Sequence, residues 1–216
     1  MKVSDVKSMM AGFTFPSPAE QQFYLSKNGM TTNYLKAFGL KNYDYGGASG
    51  TPRRAHNHAL SSAISHMQLG ILLNDNKLFR KAFKNYEATV KYQRKDGSLP
   101  IEVRRGGRAM FYQGRAMNAL AVIAIIAENQ GYNIWELDFK GKNYHNLVKF
   151  FIDFTENNEL VFKYAKENRS PGPAKNYKVQ DLRSNSGSNW GWLYAYVSRF
   201  PDHENVKRLE RSEERR

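Results

Sequence analysis

NHALSSAISHMQLGILLNDNKLFRKAFKNYEATVKY, residues 57–92, decides the fold class of this chain. Apolar residues recur every three or four positions in two successive stripes, each of which would lie along one face of a helix. The first stripe comprises Leu60, Ile64, Met67 and Ile71, and the second comprises Phe79, Phe83, Tyr86 and Val90. Because only the polar run from Asn74 to Asn76 separates the stripes, the pattern predicts two helices packed as an antiparallel hairpin.

Further helices are predicted on both sides of this hairpin. Asp96 and Gly97 should end its second helix, and a third helix should follow from about Arg108. Its run ALAVIAIIA, which begins at Ala119, is apolar on nearly every side and predicts burial, with Gly131 as a natural stop. Capping signals and apolar spacing predict other helices at about 17–27, at 32–38, from 143 and after 188, with a long polar loop at 168–188. No alternating strand pattern is present, so we predict an all-α fold of helical hairpins.

Length and composition favour one domain and exclude several kinds of site. The 216 residues show no shift in composition, so we expect a single domain over residues 1–216. Cysteine is absent, which excludes disulfides, a thiol nucleophile and a thiolate metal site. No unbroken apolar run approaches the roughly 18 residues of a membrane span, and no signal-type apolar core follows Met1.

The formal net charge of +13 indicates an anionic partner. Nucleic acid is disfavoured, because no known binding motif occurs and the tail KRLERSEERR, residues 207–216, interleaves its bases with glutamates. We interpret that tail as a solvated, ion-paired helix. A membrane is disfavoured, because no segment sets a lysine-rich face against a Trp, Phe and Leu face. We therefore expect an anionic polysaccharide as partner, with no nucleic acid and no membrane, and no pattern specifies an oligomeric state.

The stretch LPIEVRRGGRAMFY, residues 99–112, sets a cluster of cations beside a phenol. Arg104, Arg105 and Arg108 precede Tyr112, and a glycine pair inside the cluster suggests a shaped loop entering a helix. A sugar carboxylate must lose its charge before the proton on the adjacent carbon becomes acidic, and arginine, asparagine and histidine supply the donors. A phenol can then move that proton where neighbouring cations favour the phenolate, and Arg105 and Arg108 are the candidates for this.

Two segments, NHALSSAISHMQLGILLNDNKLF and DGSLPIEVRRGGRAMFY, resemble the alginate lyases of polysaccharide lyase family five. The family's Asn-His pair falls on Asn57 and His58, and its Arg with a Tyr seven positions later falls on Arg105 and Tyr112. An LP-x-E segment leads into the arginine cluster in both. The resemblance implies an α/α toroid (barrel). Because family members are considerably longer, it also implies an incomplete ring or a fragment, truncated at the N-terminal side.

The resemblance implies a metal-independent lyase that cleaves a polyuronate by β-elimination, with mannuronate-rich alginate first and glucuronan second. Asn57, His58 and Arg105 would neutralise the sugar carboxylate, Tyr112 would move the proton, and His58 could serve as base for the epimeric uronate. Candidate substrate-binding residues are Arg104, Arg108, Arg115, Tyr43, Tyr45, Arg53, Arg54, Trp190 and Trp192, with Lys41 beside them. The chain departs from the family pattern at Arg115, where many members have a second tyrosine, and at Gln113-Gly114, which replace His-Asn.

Plainer interpretations stand beside this one. Asn57 is a natural helix cap, the arginines are typical of a solvated basic turn, and Tyr112, Trp190 and Trp192 suit an aromatic core. The alternative function is a non-catalytic scaffold that binds polyuronate without cleaving it. We expect no metal and no other cofactor, because the histidines at 56, 58 and 66 lack a carboxylate at ligand spacing. The substrate implies an extracellular or periplasmic site of action.

Overall fold

The computed structural model describes residues 55–167, 176–180 and 190–214, with side chains described as far as residue 211. Within these ranges every regular element is helical, which confirms the predicted all-α class. The helices are α1 (Asn57–Leu72), α2 (Asn76–Tyr92), α3 (Ala109–Glu128), α4 (Tyr144–Glu156), α5 (Glu159–Ala165), α6 (Gly191–Arg199) and α7 (Glu204–Glu214), with a 3-10 turn at Gly106–Arg108. The helices predicted at 17–27 and 32–38, and the residues Lys41, Tyr43, Tyr45, Arg53 and Arg54, lie outside the described residues.

Helices α1 and α2 form the predicted hairpin. The Asp75 side chain caps α2 by accepting hydrogen bonds from two backbone N–H groups of its first turn, at 2.8 and 3.2 Å. The two helices approach closely at Gly70, where an added Cβ would lie 2.6 Å from the backbone nitrogen of Phe79. Glycine is therefore required at this crossing, and its position fixes how the hairpin packs.

The second helix ends earlier than the sequence predicted, at Tyr92 instead of near Asp96 and Gly97. Gln93 leaves the helical conformation, with φ −55° and ψ 150°, and its side-chain amide donates hydrogen bonds to the carbonyls of Val90, at 2.9 Å, and Asn143, at 3.0 Å. The first bond satisfies a carbonyl at the end of the helix, and the second ties the chain to the start of α4. Residues 93–105 therefore form the loop that carries part of the candidate site.

Helix α3 is the central helix, and its apolar run is buried as predicted. It packs against both α1 and α6, and Gly131 adopts the left-handed conformation, with φ 84°, just beyond its end. Among the described residues, the stretch Gly106–Glu128 is long and apolar enough to cross a membrane, and 67% of its most apolar window is buried inside the protein. Such burial is typical of a core helix.

The C-terminal helix α7 is attached to α4, and its helical, ion-paired tail agrees with the interpretation of residues 207–216. Val206 is fully buried, and the Arg208 guanidinium donates to the carboxylates of Asp153, at 2.9 Å, and Glu156, at 2.7 Å. The sequence showed the charges of the tail but not that their partners lie on another helix. The buried apolar residues of the described ranges form one core, and the extent of a single domain over residues 1–216 stays a prediction.

Candidate active site

The four predicted catalytic residues lie on three neighbouring pieces of backbone. Asn57 and His58 occupy the first turn of α1, Arg105 ends the loop between α2 and α3, and Tyr112 lies in the first turn of α3. The cap of α1 is His56, whose Nδ1 accepts a hydrogen bond from the backbone N–H of Ala59 at 3.3 Å. The interpretation of Asn57 as the cap is therefore wrong, and its side chain is used elsewhere.

Glu102 joins the first turn of α1 to the arginine loop. Its Oε1 accepts from the backbone N–H of Asn57 at 2.8 Å, and its Oε2 accepts from the Asn57 side-chain amide, also at 2.8 Å. The same Oε2 lies 3.5 Å from Nε of Arg105, and the glutamate side chain is 0% exposed. The buried carboxylate of Glu102 thus positions both Arg105 and Asn57, and Asn57 is itself only 1% exposed.

Arg105 in turn lies against Tyr112. The central carbon of its guanidinium is 4.1 Å from the centre of the phenol ring, a cation–π contact. The arginine side chain is 21% exposed and the tyrosine is half-buried, so a ligand can reach both. The half-buried position sets Tyr112 apart from the fully buried core tyrosines Tyr86 and Tyr144.

The loop that carries Glu102 is fixed by buried contacts on both sides. Gln113 of α3 is fully buried; its Oε1 accepts from the backbone N–H of Leu99 at 2.9 Å, and its Nε2 donates to the carbonyl of Gly97 at 3.2 Å. Gly97 has φ 86°, and an added Cβ would lie 1.9 Å from the carbonyl oxygen of Asn146. Gln113, which departs from the family pattern, is therefore a support of the loop and not a contact to sugar.

The glycine pair shapes the arginine loop, as its position suggested, but the group that approaches it is protein backbone. Gly106 adopts φ 57°, and an added Cβ on Gly107 would lie 2.7 Å from the carbonyl oxygen of Val179 and 2.9 Å from that of Asn176. The segment 176–180 thus packs directly on this turn.

Burial and the cations of the site shift the pKa values of His58 and Glu102. Burial, followed by the positive charges of Arg105 and Arg115, lowers the pKa of His58 from its usual 6.5, which favours the neutral imidazole at neutral pH. Burial raises the pKa of Glu102, against the opposing effects of Arg105 and the Asn57 donors. Because both hydrogen bonds from Asn57 to this carboxyl come from N–H donors, the geometry suits its ionised form.

Replacing Arg115 with glutamine should raise the pKa of His58, because one of the two cations that lower it is removed. Nuclear magnetic resonance titration of the imidazole measures this, with Lys84→Gln on the exposed face of α2 as the control. An unchanged His58 titration in Arg115→Gln would contradict the electrostatic account.

His66 and His145, like His58, have lowered pKa values in the folded chain, so the unfolded chain binds more protons than the folded chain as these groups titrate. The free energy of unfolding should therefore decline as pH falls below about 6.5.

The remaining predicted residues divide by their burial. Arg115 is exposed on α3, whereas Arg104 and Arg108 are half-buried on the arginine loop. Trp192 is 1% exposed and packs against Phe151, with ring centres 5.1 Å apart, so it fills the core and the prediction of a substrate contact is wrong. Trp190 is only partly buried and also contacts Phe151, at 5.3 Å. In the described ranges no group of three or more His, Asp or Glu side chains is arranged to hold a metal ion.

Comparison with known proteins identifies alginate lyases. The family model described as alginate lyase matches residues 26–161. An alginate lyase of Pseudomonas fluorescens is 29% identical over 148 residues, which cover 68% of this chain and 36% of that protein. An alginate lyase of Cobetia marina is 35% identical over 81 residues, covering 38% of this chain and 22% of that protein.

Solved structures agree on the fold. Alginate lyase A1-III from Sphingomonas species A1 matches with a TM-score of 0.64 at 24% identity, covering 81% of this chain and 46% of that one. A variant of alginate lyase A1-III complexed with tetrasaccharide matches with the same TM-score at 23% identity. The shared architecture is the α/α toroid, which confirms the predicted fold. The chain spans less than half the length of these relatives.

Proposed function

The chain belongs to the alginate lyase family, and from that premise we propose that it acts on alginate as a polysaccharide lyase by β-elimination. The observation that carries the proposal is the connected set formed by Asn57, Glu102, Arg105 and Tyr112. It sets amide and guanidinium donors for a carboxylate beside a phenol that can move a proton.

The reaction assigns a role to each group. His58 and Arg105 bind the C6 carboxylate of the uronate and stabilise the charge that develops as the C5 proton leaves. Asn57, which is only 1% exposed, contributes at most the amide N–H that Glu102 does not accept. Tyr112, as phenolate, takes the C5 proton; the C4–oxygen bond breaks as the C4–C5 double bond forms, and the phenol returns the proton to the departing glycosidic oxygen. Arg104, Arg108 and Arg115 provide positive charge for the carboxylates of flanking sugar units.

Mannuronate-rich alginate is the proposed first substrate, and glucuronan the second. A single phenol that both removes the C5 proton and protonates the oxygen on C4 requires these two groups on one face of the sugar. Mannuronate and glucuronate share this arrangement because they differ only at C2. Guluronate, the C5 epimer, presents its C5 proton on the opposite face, where the neutral imidazole of His58 would serve as base.

The experiment that tests the function incubates purified protein with mannuronate-rich alginate, guluronate-rich alginate and glucuronan. Each double bond formed adds absorbance near the ultraviolet edge, and we expect the largest rise with mannuronate-rich alginate, with or without chelator. If the absorbance rises with none of the three polymers, the proposal is wrong. Salt-sensitive binding with unchanged polymer length would instead identify the non-catalytic scaffold.

We also propose an extracellular or periplasmic site of action, because a polymer of this size and charge does not cross a membrane unaided. Fractionation of the source cells tests this. Recovery of the protein only from the cytoplasm would contradict it.

A further inference from the structure

We propose that Gln180, in the segment between α5 and α6, is a positioning residue that holds Arg105 and Tyr112 in register. Its Oε1 accepts a hydrogen bond from the backbone N–H of Met110 at 3.1 Å, and its Nε2 donates to the carbonyl of Gly106 at 3.0 Å. This inference rests on the proposed function, since it assigns those two residues to the chemistry.

The two backbone groups bonded to Gln180 lie close in sequence to Arg105 and Tyr112. Gly106 follows Arg105 directly, and Met110 precedes Tyr112 by two residues. In a continuous α-helix the N–H of residue 110 would donate to the carbonyl of residue 106, four positions earlier. Here the Gln180 amide bonds to both groups, so one side chain spans the change from the 3-10 turn to α3.

The contact is reinforced around the glutamine. Gln180 Nε2 also donates to the carbonyl of Tyr177 at 2.6 Å, which holds the amide in one orientation, and the Tyr177 ring lies 5.9 Å from that of Phe162 on α5. On the other side, Gly107 leaves no room for a Cβ against the carbonyls of residues 176 and 179. Polar and steric complementarity therefore fix segment 176–180 on the arginine loop.

Two substitutions disturb this contact from opposite sides. Gln180→Ala removes the amide from the segment. Gly107→Ala places a methyl group against the segment's backbone, at a residue whose φ is not positive, so its own conformation is not strained. Each should lower kcat/KM on alginate about tenfold, with a higher KM as well as a lower kcat, because Arg105 contacts the carboxylate in both ground and transition states.

Three comparisons separate positioning from loss of folded protein. Val179→Ala, at a side chain that is 66% exposed, should leave both constants unchanged. The double variant Gln180→Ala with Gly107→Ala should lose no more kcat/KM than the more affected single variant, because the two substitutions break the same contact. Gln180→Glu keeps an acceptor for Met110 but sets a carboxylate oxygen against the carbonyls of Gly106 and Tyr177, so it should retain no more activity than Gln180→Ala. A lower kcat with unchanged KM in the single variants would indicate less folded enzyme and overturn the proposal.

Amide hydrogen exchange provides a readout that is independent of catalysis. The N–H of Met110 should exchange faster in Gln180→Ala and Gly107→Ala than in the wild type, and at the wild-type rate in Val179→Ala. If the wild type forms no unsaturated product, the proposed function fails, whereas the exchange rates still decide whether Gln180 holds the turn. Wild-type exchange at Met110 in both variants would overturn the positioning role.

Discussion

Tyr112→Phe should reduce turnover of mannuronate-rich alginate by at least ~100-fold, the lower range for losing a general acid-base group. The phenylalanine ring can keep its place under the Arg105 guanidinium, which lies 4.1 Å from the ring centre, so substrate binding and thermal stability should change little. Only the oxygen that carries the proton is lost. The initial rate of absorbance increase and the midpoint of thermal unfolding measure the two effects separately.

The matched control is Tyr132→Phe, which removes the same hydroxyl from a side chain that is 59% exposed. It should leave turnover and stability at wild-type values. Near-normal turnover in Tyr112→Phe, in a wild type that does form unsaturated product, would place the proton transfer on another residue, with His58 as the next to test.

Glu102→Gln should lower both stability and activity. Glutamine turns one of the two acceptor oxygens into a donor that faces the N–H donors of Asn57 and Arg105, in a site that is 0% exposed. Leaving such a buried group unsatisfied costs about 1–3 kcal/mol in the free energy of unfolding. Because the carboxylate-binding groups lose their shared support, kcat/KM should fall at least ~10-fold, a difference of about 1.4 kcal/mol in activation free energy.

Urea unfolding and the product absorbance assay measure these two losses. The control is Glu87→Gln, which removes the charge of a partner of Lys91 on α2 at a side chain that is 32% exposed, and it should cost no more than about 0.5 kcal/mol, with unchanged activity. A Glu102→Gln protein as stable and as active as the wild type would show that the buried hydrogen bonds do not position the site.

Local pattern was sufficient to predict most of the helices that the structure describes, and the resemblance to a known family added the four catalytic candidates. The apolar spacing at residues 57–92 predicted the hairpin because helical periodicity is a property of consecutive residues. Likewise Arg105 and Tyr112 are seven positions apart on one stretch of chain, and Asn57 and His58 are adjacent. Residues so close in sequence also lie close in space, because the backbone geometry of a turn or helix fixes the distance between them.

Contacts between distant residues were decided by the tertiary structure. Glu102 was visible as the acid of an LP-x-E segment, but its bonds to Asn57 span 45 positions, and those of Gln180 to Met110 span 70. No local pattern indicates which of many donors a buried acceptor will meet, since that depends on the path of the whole chain. For the same reason an aromatic residue such as Trp192 was equally compatible with cleft and core. The sequence by itself determined the helices and the chemical groups of the site, and only packing determined which groups are buried, paired and held together.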